Sequence, residues 1–150
     1  MDKFKIIGLE SKARRVVVEA QFNPKEIGID KSIPWQLQEK KGPADLEFNS
    51  GLPMTMDVEL MFDGFESGSS IQGEIDKLHT LSDADATLKR PPKLKVVWGP
   101  EGAEGQMPKF EGVIEALAVR YLMFDADGKP LRATVRLKFK EANNIKVGKP

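Results

Sequence analysis

The amino-acid sequence predicts a mainly β fold: an antiparallel β-barrel or β-sandwich with one flanking α-helix at about residues 70–81 and a long C-terminal hairpin. Three observations support this prediction. Apolar and polar residues alternate through residues 54–62 and again through residues 131–140, and a period of two is typical of half-buried strands. Residues 71–81 instead place apolar residues at three- and four-residue spacings, as an amphipathic helix does.

The N-terminal third predicts short strands broken by turns. Residues 4–9 are apolar and rich in strand formers, and residues 14–22 contain three consecutive valines, which favour a strand over a helix. Pro24 ends this second strand because proline fixes its own backbone and keeps the preceding residue extended. We expect residues 24–28 to form one helical turn closed by Gly28.

Residues 29–52 contain several turn-forming residues that break any long element. Two short strands are predicted, one in residues 33–37 and one around residues 46–48, because apolar residues alternate there. Residues 36–41 are polar and charged, which predicts an exposed loop or arm. Long exposed loops in compact domains are usually functional. The turn-forming residues are Pro34, Gly42, Pro43 and Gly51.

The central region predicts a strand, a helix and a second strand. Ser70 is a suitable N-cap for the helix, whose apolar stripe includes Ile75 and Leu78. A connector ending in two prolines covers residues 83–92. A strand follows at residues 93–98, and we expect its Trp98 to lie in the core of the protein. The glycines in residues 99–106 predict a mobile loop.

The last third predicts a long antiparallel hairpin with one buried and one basic face. In its first strand, the residues expected to share the buried face are Phe110, Ile114, Ala116, Ala118, Leu122 and Phe124. Residues 125–130 contain the aspartates and glycine that favour a turn. In residues 131–139, apolar residues alternate with mostly basic residues, which we expect to face water. Residues 1–141 are thus predicted to be one domain, and residues 142–150, which show no periodicity, a tail.

The composition excludes several classes of function. The chain has 150 residues, equal numbers of acidic and basic side chains at 23 each, one histidine and no cysteine. Without cysteine there is no disulfide, zinc–thiolate site or cysteine nucleophile. Balanced charge argues against nucleic acid as a partner and in favour of association with other copies or proteins.

No segment predicts membrane insertion. The apolar runs are far shorter than the ~20 residues of a membrane helix, and the N-terminus lacks the apolar core of a signal peptide. We therefore expect synthesis in the cytoplasm.

No catalytic or metal site is predicted, and no cofactor. His79 lies late in the helix, where it suits the helix dipole, and the serines near residue 67 do not form a nucleophile elbow. Asp125 and Asp127 resemble part of a calcium loop, but a hairpin turn explains them better.

Other polar clusters are explained by solvent exposure. Asp57 and Glu59 share the wet face of a strand, which is more often surface than a glycosidase pair. The glycine-rich residues 99–105 are acidic and do not fit a phosphate cradle. The basic stripe of the last strand lacks stacking aromatics and favours a protein–protein or solvated surface over nucleic acid; it comprises Arg132, Arg136, Lys138 and Lys140.

Five short blocks within residues 18–133 together resemble a known family. They are F-N-P-K-E at 22–26, R-P-P at 90–92, V-W-G at 97–99, F-x-G-V-I at 110–114 and G-x-P-x-R-A at 128–133. In this order they are similar to the N-terminal domain of contractile injection system tube and baseplate proteins, whose longer members add a LysM module. No LysM module is expected in residues 142–150, so peptidoglycan binding is not carried over.

The resemblance implies a tail-tube fold and a structural, non-enzymatic role in a phage-tail-like injection particle. The implied role is a hexameric ring of the inner tube or baseplate that joins the tube to the spike hub. Its implied partners are copies of itself, the inner tube protein and the hub or spike protein, with sheath or wedge proteins as further candidates. The particle is of a kind that can be released from the cell.

Contacts within such a ring are expected at the 125–130 turn, the 36–49 arm and the 99–106 loop. The expected contact residues are Trp35, Asp57, Glu59, Asp127, Lys129, Arg132, Arg136 and Lys138. The alternative function is a free-standing ligand- or glycan-binding β-domain, whose site would need exposed aromatic residues that converge on a groove.

Overall fold

The computed structural model describes residues 1–37, 45–48 and 52–148, and it confirms a mainly β protein with one α-helix. The helix α1 spans Gln72–Ser82, close to its predicted position, and a short 3-10 helix spans Ser11–Arg15. The strands are β1 (Phe4–Gly8), β2 (Val17–Glu19), β3 (Ile27–Asp30), β4 (Trp35–Leu37), β5 (Leu46–Phe48), β6 (Thr55–Asp63), β7 (Leu94–Trp98), β8 (Phe110–Phe124) and β9 (Pro130–Glu141).

Seven strands form one antiparallel sheet in the order β2-β1-β7-β8-β9-β6-β3, and β4 pairs with β5 in a separate two-stranded sheet. Within the described ranges the large sheet does not close into the predicted barrel, because its edge strands β2 and β3 do not pair with each other. The chain between them contains Pro24, which has no amide hydrogen to donate. Instead the side chain of Gln21 donates to the carbonyl of Asp63 (2.8 Å) and accepts from its amide (2.7 Å).

The core lies between one face of the sheet and α1. The alternation predicted for β6 and β9 is confirmed, since every second residue of each strand is buried. The helix contributes Ile75, Leu78 and Leu81, which are all fully buried. Burial of an aliphatic side chain of this size stabilises a fold by about 1.5–3 kcal/mol, so these three residues hold the helix on the sheet. The N-cap residue of α1 is Ile71, which makes no side-chain cap hydrogen bond, so the predicted N-cap Ser70 lies one residue too early; its hydroxyl accepts a hydrogen bond from the amide of Gln72 (3.1 Å).

Strand β8 differs from the prediction in its second half. Ile114 lies opposite Phe139 and Ala116 lies opposite Lys138, so Glu115 is an extra residue in the ladder. A β-bulge of this kind shifts the alternation by one residue. Leu117 and Val119 therefore pack against the core, and the prediction that Ala116, Ala118, Leu122 and Phe124 share the buried face is wrong, because all four are exposed.

Two predictions for the N-terminal third are also corrected. The expected strand over residues 14–22 is limited to β2, because the preceding residues form the 3-10 helix. The expected helical turn at residues 24–28 is absent, and Gly28 lies in β3 opposite Asp57 of β6.

The proline connector after α1 is fixed by a network centred on Glu10. Arg90 donates two hydrogen bonds to the Glu10 carboxylate, at 2.9 and 3.0 Å, and the amide of Lys93 donates a third at 2.7 Å. The hydrogen bonds from Arg90 are the main reason that the pKa of Glu10 is lowered to about 2. This network joins the connector before β7 to the chain after β1.

The close pairing of β8 with β9 requires a glycine at position 112. A side chain at Gly112 would overlap the carbonyl of Lys140 in the neighbouring strand. The two strands also meet at the predicted turn, where the carboxylate of Asp125 accepts from the amides of Asp127 (2.8 Å) and Lys129 (2.9 Å). The long hairpin is therefore confirmed, with its turn chemistry.

Candidate functional site

The predicted acidic and basic contact residues lie side by side on one face of the large sheet. Asp57 is opposite Lys138 in the β6–β9 register, and Glu59 is opposite Arg136. Cross-strand pairs of opposite charge attract each other, so these rows partly neutralise one another within the subunit. The distance between Arg136 Nε and Glu59 Oε2 is 4.0 Å, and both side chains are well exposed, so the pair contributes little stability.

Arg132 lies at the end of this face, beside the last residue of β6. Its guanidinium donates from Nε to Oδ2 of Asp63 at 3.0 Å. The pKa of the Asp63 carboxyl is lowered, first by the amide of Phe65 and then by Arg132. The arginine is thus engaged inside the subunit, and its contact with a neighbouring subunit stays a prediction.

Asp127 and Lys129 lie in the β8–β9 turn, at the far end of the hairpin. Their side chains are exposed, and the turn conformation is set by Asp125 and by Gly128, whose φ is 82°. A turn that is rigidly held and exposed can make reproducible contacts with another molecule, and this role also stays a prediction.

Trp35 belongs to an unusual surface that we call the ribbon face: the side chains of Trp35, Leu37, Leu46 and Phe48. Trp35 pairs with Phe48 across β4 and β5, and Leu37 pairs with Leu46. Their exposed fractions are 56%, 55%, 58% and 57% in the order of the sequence. The two rings lie 5.3 Å apart. Of the predicted 36–49 arm, residues 38–44 and 49 lie outside the described residues.

A second surface, not predicted from the sequence, places three exposed apolar side chains among charged and polar ones. We call it the Phe22 groove: two adjoining depressions of about 360 and 460 Å³ that share Phe22. Met61 lines one depression and Phe65 the other, and all three apolar side chains are substantially exposed. Since Met61 and Asp63 both belong to the outward row of β6, the groove continues the charged face of the sheet. The F-N-P-K-E block marked this segment but did not indicate a groove.

The 99–106 loop forms a series of turns between β7 and β8. Lys95 Nζ contacts Glu101 Oε1 at 2.6 Å, which ties the loop to β7 and lowers the pKa of the Glu101 carboxyl. Contact of this loop with a partner stays a prediction.

His79 lies on the exposed side of α1. Among the described residues, no group of three or more histidine or carboxylate side chains is placed to hold a metal ion. In the same part of the chain, no helix has the length and apolar character needed to cross a membrane.

Two comparisons with known proteins bear on this arrangement. No curated protein matches the chain. The model of the family described as contractile injection system tube protein matches residues 1–147, which is almost the whole chain. This match agrees with the resemblance of the five sequence blocks. The chain therefore belongs to the contractile injection system tube protein family, and it has a structural role in such a system.

Proposed function

We propose that the chain assembles with copies of itself into a closed ring, and that this ring joins the inner tube to the spike hub of the injection particle. Six subunits per ring is the number implied by the resemblance to tube and baseplate proteins. In this role the chain performs no catalysis: its surfaces position other subunits. Residues 1–141 form the tube-like unit, and the following residues form a tail.

The open edges of the large sheet carry this proposal. Strands β2 and β3 each pair on one side only within the described residues. Each edge exposes a β-branched side chain, Val17 on β2 and Ile29 on β3. An open edge can pair with another chain, because its backbone amides and carbonyls have no strand partner on that side. In a ring, the β2 edge of one subunit can meet the β3 edge of the next, which leaves no edge unpaired.

The proposed partners follow from this placement. A ring at the end of the tube contacts the inner tube protein on one side and the hub or spike protein on the other. Sheath or wedge proteins would contact its outer surface. The chain would be made in the cytoplasm and act within the assembled particle, which can leave the cell.

The glycan-binding alternative is not favoured by the positions of the tryptophans. Trp98 packs edge-on against Phe4 with ring centres 6.2 Å apart, and its indole donates to the carbonyl of Asp2. Trp35 lies on the separate ribbon. The described groove beside Trp98 is lined by the 99–102 turn and does not include Trp35.

The proposal is tested by the mass of the purified chain and by electron microscopy. We expect a closed ring in native mass spectrometry, and a larger complex when tube and hub proteins are added. Ile29→Lys should reduce ring formation, because a lysine on an edge strand opposes pairing with another strand. Val147→Lys is the control, since Val147 is similarly exposed but lies outside the sheet. A strict monomer, even with tube and hub proteins present, would refute the proposal.

A further inference from the structure

We propose that residues 99–107 form a lid over Trp98, held closed by an ion pair that can be exchanged for another. The closed lid has Lys95 paired with Glu101, and the open lid has Lys95 paired with Glu111. The inference concerns movement within one subunit, so it goes beyond the ring proposal and does not depend on it.

The lid consists of the 99–106 loop and Met107, and it lies against the side chain of Trp98. Trp98, residues 99–102, Met107 and Lys109 are among the residues that line a cavity of about 20 Å³. A cavity of this size has room for about one water molecule, so the loop lies close to the indole ring. Trp98 and Met107 are both partly buried and pack against the core. Movement of the lid would therefore uncover both side chains.

Few contacts hold the lid in place. Its three glycines have φ between 76° and 82°, a conformation that glycine adopts without steric cost. The amide of Gln106 donates to the carbonyl of Ala103 (3.2 Å), so this hydrogen bond lies within the lid itself. In the described part of the chain, the ion pair that joins the lid to the sheet is Lys95 Nζ with Glu101 Oε1, at 2.6 Å. A segment with so few attachments opens locally at a low cost in free energy.

Glu111 is a second acceptor within reach of Lys95. It lies directly opposite Lys95 in the β7–β8 register, and side chains at opposite positions share one face of the sheet and can touch. In the closed arrangement, Glu111 instead contacts Lys109 Nζ at 3.1 Å and Lys93 Nζ at 3.6 Å. Lys95 therefore lies between two carboxylates, and it can leave Glu101 without losing an anionic partner.

The charges around Glu101 act in opposite directions on the lid. Lys95, and after it Lys109, lower the pKa of the Glu101 carboxyl, whereas the nearby charge of Glu111 raises it. The side chains of Lys95 and Glu101 are 23% and 41% exposed, so water and salt screen their attraction. Removing the charge of Glu101 should therefore favour the open lid, and removing the charge of Glu111 should favour the closed one.

Tryptophan fluorescence measures the opening, because the chain has two tryptophans and Trp35→Phe, in β4, leaves Trp98 as the only one. This parent variant is titrated with acrylamide, an uncharged quencher, at one protein concentration. In about 1 M sodium chloride the Debye length is about 3 Å, and quenching should be stronger than at low salt, because the closed lid holds one ion pair more than the open lid. Glu101→Gln should increase quenching already at low salt, by up to about fivefold. Glu111→Gln should decrease it.

The matched control is Glu104→Gln, which removes the same charge from an exposed position of the same loop and should leave quenching unchanged. Circular dichroism checks that each variant is folded. Equal quenching in Glu101→Gln and Glu104→Gln would show that Glu101 does not hold the loop. Stronger quenching in Glu111→Gln than in the parent would show that Glu111 supports the loop and does not compete for Lys95. Either result overturns the inference, and neither bears on the ring proposal.

Discussion

The Glu10 network offers the sharpest test of how this fold is stabilised. Glu10→Gln keeps the size of the side chain but removes its charge. The fall in the pKa of Glu10 from 4.5 to about 2 corresponds to about 3 kcal/mol at 1.36 kcal/mol per pH unit. The side chains of Arg90 and Glu10 are still 18% and 28% exposed, and water screens part of their interaction. We therefore expect the substitution to reduce the free energy of unfolding by about 2 kcal/mol.

This loss should depend on pH in a defined way. The folded pKa is lower than the unfolded one, so the ionised carboxylate stabilises the fold at pH values above 4.5. That contribution is lost as the pH falls from 4.5 towards 2. The wild-type protein should therefore exceed Glu10→Gln in stability at pH 7, and the difference should shrink steadily below pH 4.5.

Thermal unfolding followed by circular dichroism, at one fixed protein concentration, measures this difference. For a chain of this size, 2 kcal/mol corresponds to about 4–8 °C in Tm. Glu19→Gln is the control, because its ion pair with Lys5 is long, at 3.8 Å, and exposed, so its Tm should hardly change. An equal Tm for Glu10→Gln and wild type at pH 7, or a difference that persists undiminished near pH 2, would show that the charge of Glu10 is not the cause.

Two further predictions concern the β8–β9 pair and the helix, and both are measured by denaturant unfolding. Gly112→Ala should destabilise the protein by about 3 kcal/mol, because the new methyl group overlaps the neighbouring strand. The control is Gly73→Ala, in open space on α1, which should stabilise the protein by about 0.5 kcal/mol. Equal effects of the two substitutions would contradict the close approach of β8 and β9 at Gly112. Leu117→Ala should cost about 1.5 kcal/mol and Ala116→Ser less than about 0.5 kcal/mol. The reverse order would mean that the bulge at Glu115 does not exist.

The sequence was most informative where one face of an element is buried along its whole length. Strands β6 and β9 have unbroken alternation, and α1 has an unbroken apolar stripe, so their type and position could be predicted. The turn at residues 125–130 was predictable for a different reason, because aspartate and glycine at those positions satisfy the local backbone.

The errors arose where tertiary pairing overrides local preference. Pro24 and Gly28 have the spacing of a helical turn, but pairing with β6 holds Gly28 in a strand. The bulge at Glu115 is invisible to a strict two-residue count, because the residues on both sides of it are apolar and fit either face. Barrel closure depends on whether β2 and β3 pair, which is a tertiary contact that local sequence patterns do not encode.

The candidate surfaces also differ in how far the sequence predicts them. The short strand around Trp35 could be predicted, because apolar residues alternate there. The Phe22 groove could not, since Phe22, Met61 and Phe65 are brought together only by the fold. The charged rows were assigned to the correct strands, but only the register shows that they face one another across β6 and β9.

The pairing of β6 with β9 has a consequence for biogenesis. β6 is synthesised early, yet its main partner is the last strand of the sheet. At a translation rate of ~5–20 residues per second, β6 emerges from the ribosome seconds before β9 does, and the closing loop between them is long, which slows folding. During that interval the apolar row of β6 is unprotected in the nascent chain. Expression yield should therefore respond to translation speed and chaperone supply more strongly than the stability of the finished fold would indicate.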